Sequence, residues 1–237
     1  MAGNKKKSMA PEMDQVYPED QISTTSQNLS LIEKRRQQIV DGACKIFLKK
    51  GYHPTTTRDI ASACGMSVGQ LYHYISSKDD VLYLVHKHTQ NLWFHHLRES
   101  KIEKINDPLE KFSRALYLSL VFITENKKLF QFIYSESKYL DKKHLKVVLD
   151  MDSKNIIGFW NDLLSELNKK HPIKGDKDVI SSLIAYLMVF LALRGWTLKE
   201  KSSSYYIDSL VDFILRGLGV VLLVHGLLNG NRKGETV

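Results

Sequence analysis

Seven consecutive or near-consecutive side chains, Ser67, Val68, Gly69, Gln70, Tyr72, His73 and Tyr74, could do chemistry together, and it is the chemistry of reading rather than of reaction. A glutamine amide can pair bidentately with an adenine edge in the major groove. Hydroxyl and imidazole groups such as those of Tyr72, His73 and Tyr74 can donate to phosphate oxygens, and Lys78 adds a positive charge just downstream. Gly69 costs a helix about 1 kcal/mol relative to alanine, and close approach of the backbone to DNA is a reason to accept that. No GxSxG, P-loop, GxGxxG or HExxH pattern occurs, so no catalytic residues and no cofactor are expected. His86, His88, His95 and His96 crowd one stretch, but no two of them are four apart and no cysteine is close. Metal binding is therefore not expected, and these histidines read as exposed or partner-contacting.

The elements that must position such a set are helices. Apolar residues recur at helical spacing almost throughout, and alternating β-branched runs are missing. Ile32, Ile39, Ala43, Ile46 and Phe47 line one face of a first helix over about 30–50, which Gly51 ends. Thr57 reads as the N-cap of a short helix that runs to about Cys64 and buries Ile60, Ala61 and Ala63. A glycine-containing turn, Gly65-Met66-Ser67, leads to a second short helix over Val68–Tyr74. Two short helices joined in this way make a helix-turn-helix. Residues 31–78 hold eight lysines and arginines against three acids, a surplus of five out of a net charge of +8 for the 237-residue chain. Concentrated positive charge is what phosphate neutralisation needs.

The run Gln38-Ile39-Val40-Asp41-Gly42-Ala43, Phe47, Gly51-Tyr52 and Thr55 to Ala61, continued by Gly65 to Lys78, strongly resembles the TetR (tetracycline-repressor-like) regulators. Tyr74 and Ile75 stand where a histidine and a phenylalanine are commoner in that family. The resemblance implies an all-α fold of about nine helices and a homodimer formed through the last two long helices. It also implies ligand-controlled release from a palindromic operator in double-stranded DNA, with DNA contacts falling on Thr57, Ser67, Gly69, Gln70, Tyr72, His73 and Lys78. A weaker likeness, over Leu129–Leu140 and the helix after it, is to the fatty-acid- and acyl-coenzyme-A-responsive members.

The domain organisation expected is a disordered tail over 1–29, a DNA-binding domain over 30–76, a ligand-binding and dimerisation domain over 77–228 and a flexible end over 229–237. Within the larger domain a long helix covers about 77–101, and others cover about 108–125, 129–140, 144–168, 176–199 and 204–228. Aromatic residues are frequent there, as in any helical core and in most small-molecule pockets. Trp93, Phe122, Phe130, Tyr134, Trp160, Tyr186 and Arg194 are the candidate ligand-binding residues, the arginine to meet an anionic head such as that of an acyl-CoA effector. Aromatic or cationic efflux substrates are the alternative effectors, and a helical protein adaptor the alternative function. The apolar runs Leu183–Leu193 and Val211–Leu228 suit a four-helix dimer interface, with Gly217 and Gly219 allowing close approach. Cys44 and Cys64 read as buried free thiols of a reducing compartment. A polar start without an apolar core, and no apolar run beyond Leu218–Leu228, argue for a cytoplasmic protein that does not enter a membrane.

Overall fold

The computed structural model describes Ile22, residues 28–198 and residues 201–220. Among these residues the chain is all-α. The helices are α1 (Leu29–Lys50), α2 (Thr57–Ala63), α3 (Val68–Tyr72), α4 (Lys78–Glu99), α5 (Pro108–Glu125), α6 (Lys127–Glu136), α7, α8 (Lys177–Arg194) and α9 (Ser203–Gly217). α7 is α-helical over Lys142–Met151 and Gly158–Asn168, with a π-helical turn, Asp152–Ile157, between them. Short 3₁₀ segments follow α4, α6 and α8.

The described residues fall into two compact units. Residues 28–95 and 126–155, with Ile22, make the first, and residues 96–125 and 156–220 the second. In the first, Ile39, Phe47, Ile60, Leu71, Ile75 and Leu82 are sealed from solvent, and Phe132, Leu140, Val148 and Met151 join the same core. The Phe132 ring stacks on Phe47 at 5.3 Å, so α6 packs with the helix-turn-helix rather than apart from it. Gly42 lets α1 and α2 cross closely. A β-carbon there would meet Cys64 Sγ at 2.6 Å and the Ala63 backbone at 3.0 Å. Ile22 is also buried in this core, and its carbonyl accepts from Arg36 Nη2 at 2.9 Å. The expected tail over 1–29 therefore includes at least one anchored residue; 1–21 and 23–27 lie outside the described residues.

In the second unit α5 packs against α8, α9 and the end of α7. Phe112, Leu116, Leu120, Trp160, Leu163 and Leu164 are sealed from solvent. Pro108 opens α5 in the position where a missing N–H is harmless, and Asp107 caps it by accepting from the Leu109 and Glu110 N–H groups. Lys111 is buried beside Glu166, 2.9 Å away. α9 stops at Gly217, short of the expected end near Leu228. Gly219, at φ +77°, turns the chain, and Val220 N–H closes on Leu215 O while Gly219 N–H closes on Arg216 O. That is a Schellman termination, so Gly219 ends the helix. The remainder of the apolar run, 221–228, and the tail 229–237 lie outside the described residues.

Candidate nucleic-acid interface

α2 and α3 are built by two reciprocal capping boxes. Thr56, not Thr57, caps α2. Its hydroxyl accepts the Asp59 N–H at 3.1 Å, and Asp59 Oδ2 accepts the Thr56 N–H at 2.9 Å. Lys50, 2.8 Å from Asp59, holds that carboxyl well below its usual range, with help from the Thr56 N–H and hydroxyl. Thr57 is the first residue of α2 and half-buried. Ile60 and Ala61 are buried as expected, whereas Ala63 faces solvent; Cys64 takes the inward place instead. Ser67 caps α3. Its hydroxyl accepts the Gln70 N–H at 3.1 Å, and the Gln70 side chain accepts the Ser67 N–H at 2.9 Å.

α3 is shorter than expected, ending at Tyr72 with His73 as its C-cap. It is pinned by Leu71, sealed from solvent, and by half-buried Val68. Its other side is open: Ser67, Gly69, Gln70, Tyr72 and His73 are all exposed. A β-carbon on Gly69 would meet nothing nearer than Ser67 Oγ at 3.9 Å, so no packing within the chain calls for glycine there.

Two of the expected contact residues are occupied elsewhere. Tyr74 is half-buried against the core, and its carbonyl accepts from Arg36 Nε. Lys78 Nζ donates to the carbonyls of Tyr52, His53 and Thr55 at 3.1, 3.3 and 3.0 Å and lies over the Tyr52 ring. Its charge holds the loop between α1 and α2 onto the start of α4. Tyr52 Oη in turn donates to Asp79.

The candidate ligand residues divide between the units. Trp93, Phe130 and Tyr134 belong to the first, and Phe122, Trp160, Tyr186 and Arg194 to the second. Trp93 is buried against Phe94, and Phe122 is buried against His96. Trp160 is sealed among Phe112 and Phe159. Phe130 is half-buried, and Tyr134 and Tyr186 are exposed. Arg194 is exposed and lies over Trp196 at 5.4 Å.

Several buried polar groups escaped sequence reasoning. Gln90 donates to Asp152 in the π-helical turn and accepts from Asn155 at 3.3 Å. Burial pushes the Asp152 carboxyl up to about 6. His86, expected to be exposed or partner-contacting, is buried within its own chain, which pushes its imidazole down to about 4. His144 lies buried between Asp80 and Asp141. A polar residue inside an apolar helical stripe was the available signal in each case. Cys64 is buried as expected and Cys44 half-buried, and burial pushes both thiols up to about 11. No group of three metal-ligating side chains occurs among the described residues. Within α8 and its 3₁₀ extension, Lys177–Thr197, a window of 18 residues has a mean hydropathy of 1.8, and 33% of that window is buried. At 18 residues that window is longer than Leu218–Leu228, the stretch singled out from sequence.

Residues 39–83 match the family model for bacterial regulatory proteins of the tetR family. The chain is 27% identical over 209 residues to the HTH-type transcriptional regulator HbdR of Aromatoleum sp. strain CIB, covering 87% of this chain and 85% of that one. It is 27% identical over 146 residues to the repressor KstR2 of Mycolicibacterium smegmatis, covering 61% of this chain and 70% of that one. Among solved structures, FadR of Bacillus subtilis in complex with stearoyl-CoA superposes with a TM-score of 0.65 at 18% identity, over 76% of this chain and 98% of the other. AibR in complex with isovaleryl coenzyme A and operator DNA gives 0.63 at 19% identity, over 76% and 97%. With the capped α2 and α3 and the open face of α3, residues 39–83 are a DNA-binding domain of the bacterial tetR regulatory type, in a chain similar over most of its length to HTH-type transcriptional regulators.

Proposed function

We propose that this protein is a homodimeric repressor that binds a palindromic operator through α3 and leaves it when an acyl-CoA or related amphipathic carboxylate binds. The observation that carries the DNA-reading part is the exposed face of α3. There Gly69 has no reason within the chain to be glycine, and Gln70 is exposed at the helix start. Gln70 would leave its capping bond to Ser67 to pair with a base edge. Ser67, Tyr72 and His73 would meet phosphates, and Thr57, at the start of α2, would lie beside them. Tyr74 and Lys78 would act behind these, by holding the helix-turn-helix together.

The outer faces of α8 and α9 support the dimer. Leu183, Tyr186 and Phe213 are 57%, 61% and 64% exposed. Large apolar side chains left open in this way mark protein contacts, and a second copy would cover them by two-fold symmetry. The half-sites of such an operator would lie roughly 34 Å apart. The effector class rests on the company the fold keeps: the FadR and AibR structures hold acyl-CoA thioesters. A sequence-specific DNA-binding protein of this kind works in the cytoplasm and needs no catalytic chemistry.

The test is fluorescence anisotropy with DNA from upstream of the protein's own gene, across salt, with wild type and Gln70→Ala, and with isovaleryl- and stearoyl-CoA. Wild type is expected to bind with a steep salt dependence, and Gln70→Ala to lose roughly tenfold or more against the operator alone. Either thioester is expected to release the DNA. Equal loss on random and operator DNA would overturn the reading role of Gln70. Binding indifferent to both thioesters but released by aromatic cations would replace the effector class.

A further inference from the structure

Asp80, His144 and Asp141 form a file of three ionisable side chains behind the DNA-reading face. Asp80 and His144 are each only 4% exposed. Asp80 Oδ2 accepts the backbone N–H groups of Ser76 and Ser77 at 2.6 and 3.0 Å, and Ser77 Oγ accepts the Asp80 N–H at 3.1 Å. These serines form the turn that joins α3 to α4. Asp80 Oδ1 stands 3.0 Å from His144 Nε2, within ion-pairing range although not aligned as a hydrogen bond. On the other side His144 Nδ1 is 2.8 Å from Asp141 Oδ2, and Asp141 Oδ1 accepts the His144 N–H at 2.8 Å as the cap of α7. The Tyr83 ring lies 5.4 Å from the imidazole.

The arrangement counts protons. A carboxylate only accepts, an imidazolium carries two N–H donors, and a neutral imidazole carries one donor and one lone pair. Flanked by carboxylate oxygens on both sides, a neutral ring must turn a lone pair toward one of them, whichever tautomer it takes. Only the cation suits both neighbours.

We infer that His144 is a positioning residue for the recognition helix: as an imidazolium it ties the first turn of α7 to Asp80, and Asp80 carries that tie to the Ser76–Ser77 turn where α3 meets α4. Loss of the proton loosens one end of the tie and lets the turn drift, weakening operator binding. The inference rests on the DNA-reading role of α3. Other groups stand beside the file, among them the Lys143 backbone N–H, which also donates to Asp141. From α4 there is Tyr83, whose phenol burial pushes up against the opposing charge of Arg36 from α1. From the loop after α1 there is Tyr52, pushed up by burial and by the Asp79 and Asp141 carboxylates. Asp141 itself is held below its usual range, first by the His144 N–H and then by the His144 ring.

The discriminating variant is Asp141→Asn. Asparagine caps a helix as well as aspartate, so α7 keeps its start. The new amide can donate to Nδ1 of a neutral ring, whose Nε2–H then serves Asp80, so the need for the second proton disappears. Operator affinity of the full-length protein is to be measured between about pH 6 and pH 8 for wild type, Asp141→Asn and His144→Gln. Wild type is expected to weaken with rising pH by about tenfold more than Asp141→Asn. His144→Gln is expected to be weak and flat across the range. Any titration of other histidines, His73 included, is common to wild type and Asp141→Asn and cancels in their difference. If His144→Gln fails to fold, the comparison of wild type with Asp141→Asn decides alone. Operator preference retained with identical pH slopes overturns this inference only. A wild type with no operator preference at any pH overturns the regulator reading and this inference with it.

Discussion

The face of α3 and the outer faces of α8 and α9 are both left open by the fold, in opposite ways. On α3 the open residues are Ser67, Gly69, Gln70, Tyr72 and His73, all but the glycine able to hydrogen-bond, on a five-residue helix anchored by a single sealed leucine. On α8 and α9 they are Leu183, Tyr186 and Phe213, large and apolar, on helices whose other faces carry the second unit's core. A partner's chemistry is read from the residues that the chain's own packing does not explain. An unexplained glycine among exposed hydrogen-bonding side chains points to a grooved, hydrogen-bonding polyanion, and unexplained leucine and phenylalanine to another apolar protein surface.

The sharpest way to break this contrast is to charge the apolar side of it. Phe213→Asp leaves the isolated chain intact, because Phe213 packs little within it. It should shift the protein to monomer in analytical ultracentrifugation and weaken operator binding about a hundredfold, since two half-sites no longer act as one. A variant that stays dimeric and binds normally would place the interface elsewhere.

Asp152 sharpens the contrast from inside, as a polar residue that the core does not explain either. Its carboxyl is pushed up from 3.8 to about 6 by burial, against the opposing hydrogen bond from Gln90. A raised carboxyl contributes stability that is whole below about pH 4 and is lost as pH rises through about 6. Asp152→Asn keeps an acceptor for Gln90 without the charge. Its thermal unfolding should match wild type near pH 4 and be more stable by about 2–3 kcal/mol near pH 7. Equal stability at both ends would mean that the buried charge is matched by something other than Gln90.

Two glycines give the smallest effects and opposite signs. Gly42→Ala forces a β-carbon against Cys64 and the Ala63 backbone and should destabilise by about 1–3 kcal/mol. Gly69→Ala meets open space and should stabilise by up to about 1 kcal/mol while weakening operator binding. A more stable Gly69→Ala protein with undiminished operator affinity would remove the close-approach argument.

Local signals were legible in the sequence because they act over three or four residues. Gly51 ends α1 and Pro108 opens α5, each through the backbone geometry of its own neighbourhood. Where neighbours compete, the reading slips by one. Thr55, Thr56 and Thr57 could all cap, and only the reciprocal bond with Asp59 selects Thr56. The π-helical turn inside α7 left no mark in the apolar spacing, and the bonds its Asp152 and Asn155 make to Gln90 span more than sixty residues.

The sequence by itself determined the helical class, the helix-turn-helix and the residues that α3 shows to solvent, since periodicity, caps and charge are properties of short stretches. Tertiary structure alone decided that Lys78 faces three carbonyls, that Arg36 holds both Ile22 and Tyr74, and that His144 sits between two carboxylates. It also decided which aromatics share a core and which stand open. A long cationic or aromatic side chain can reach many partners, and only the packing of distant helices chooses among them.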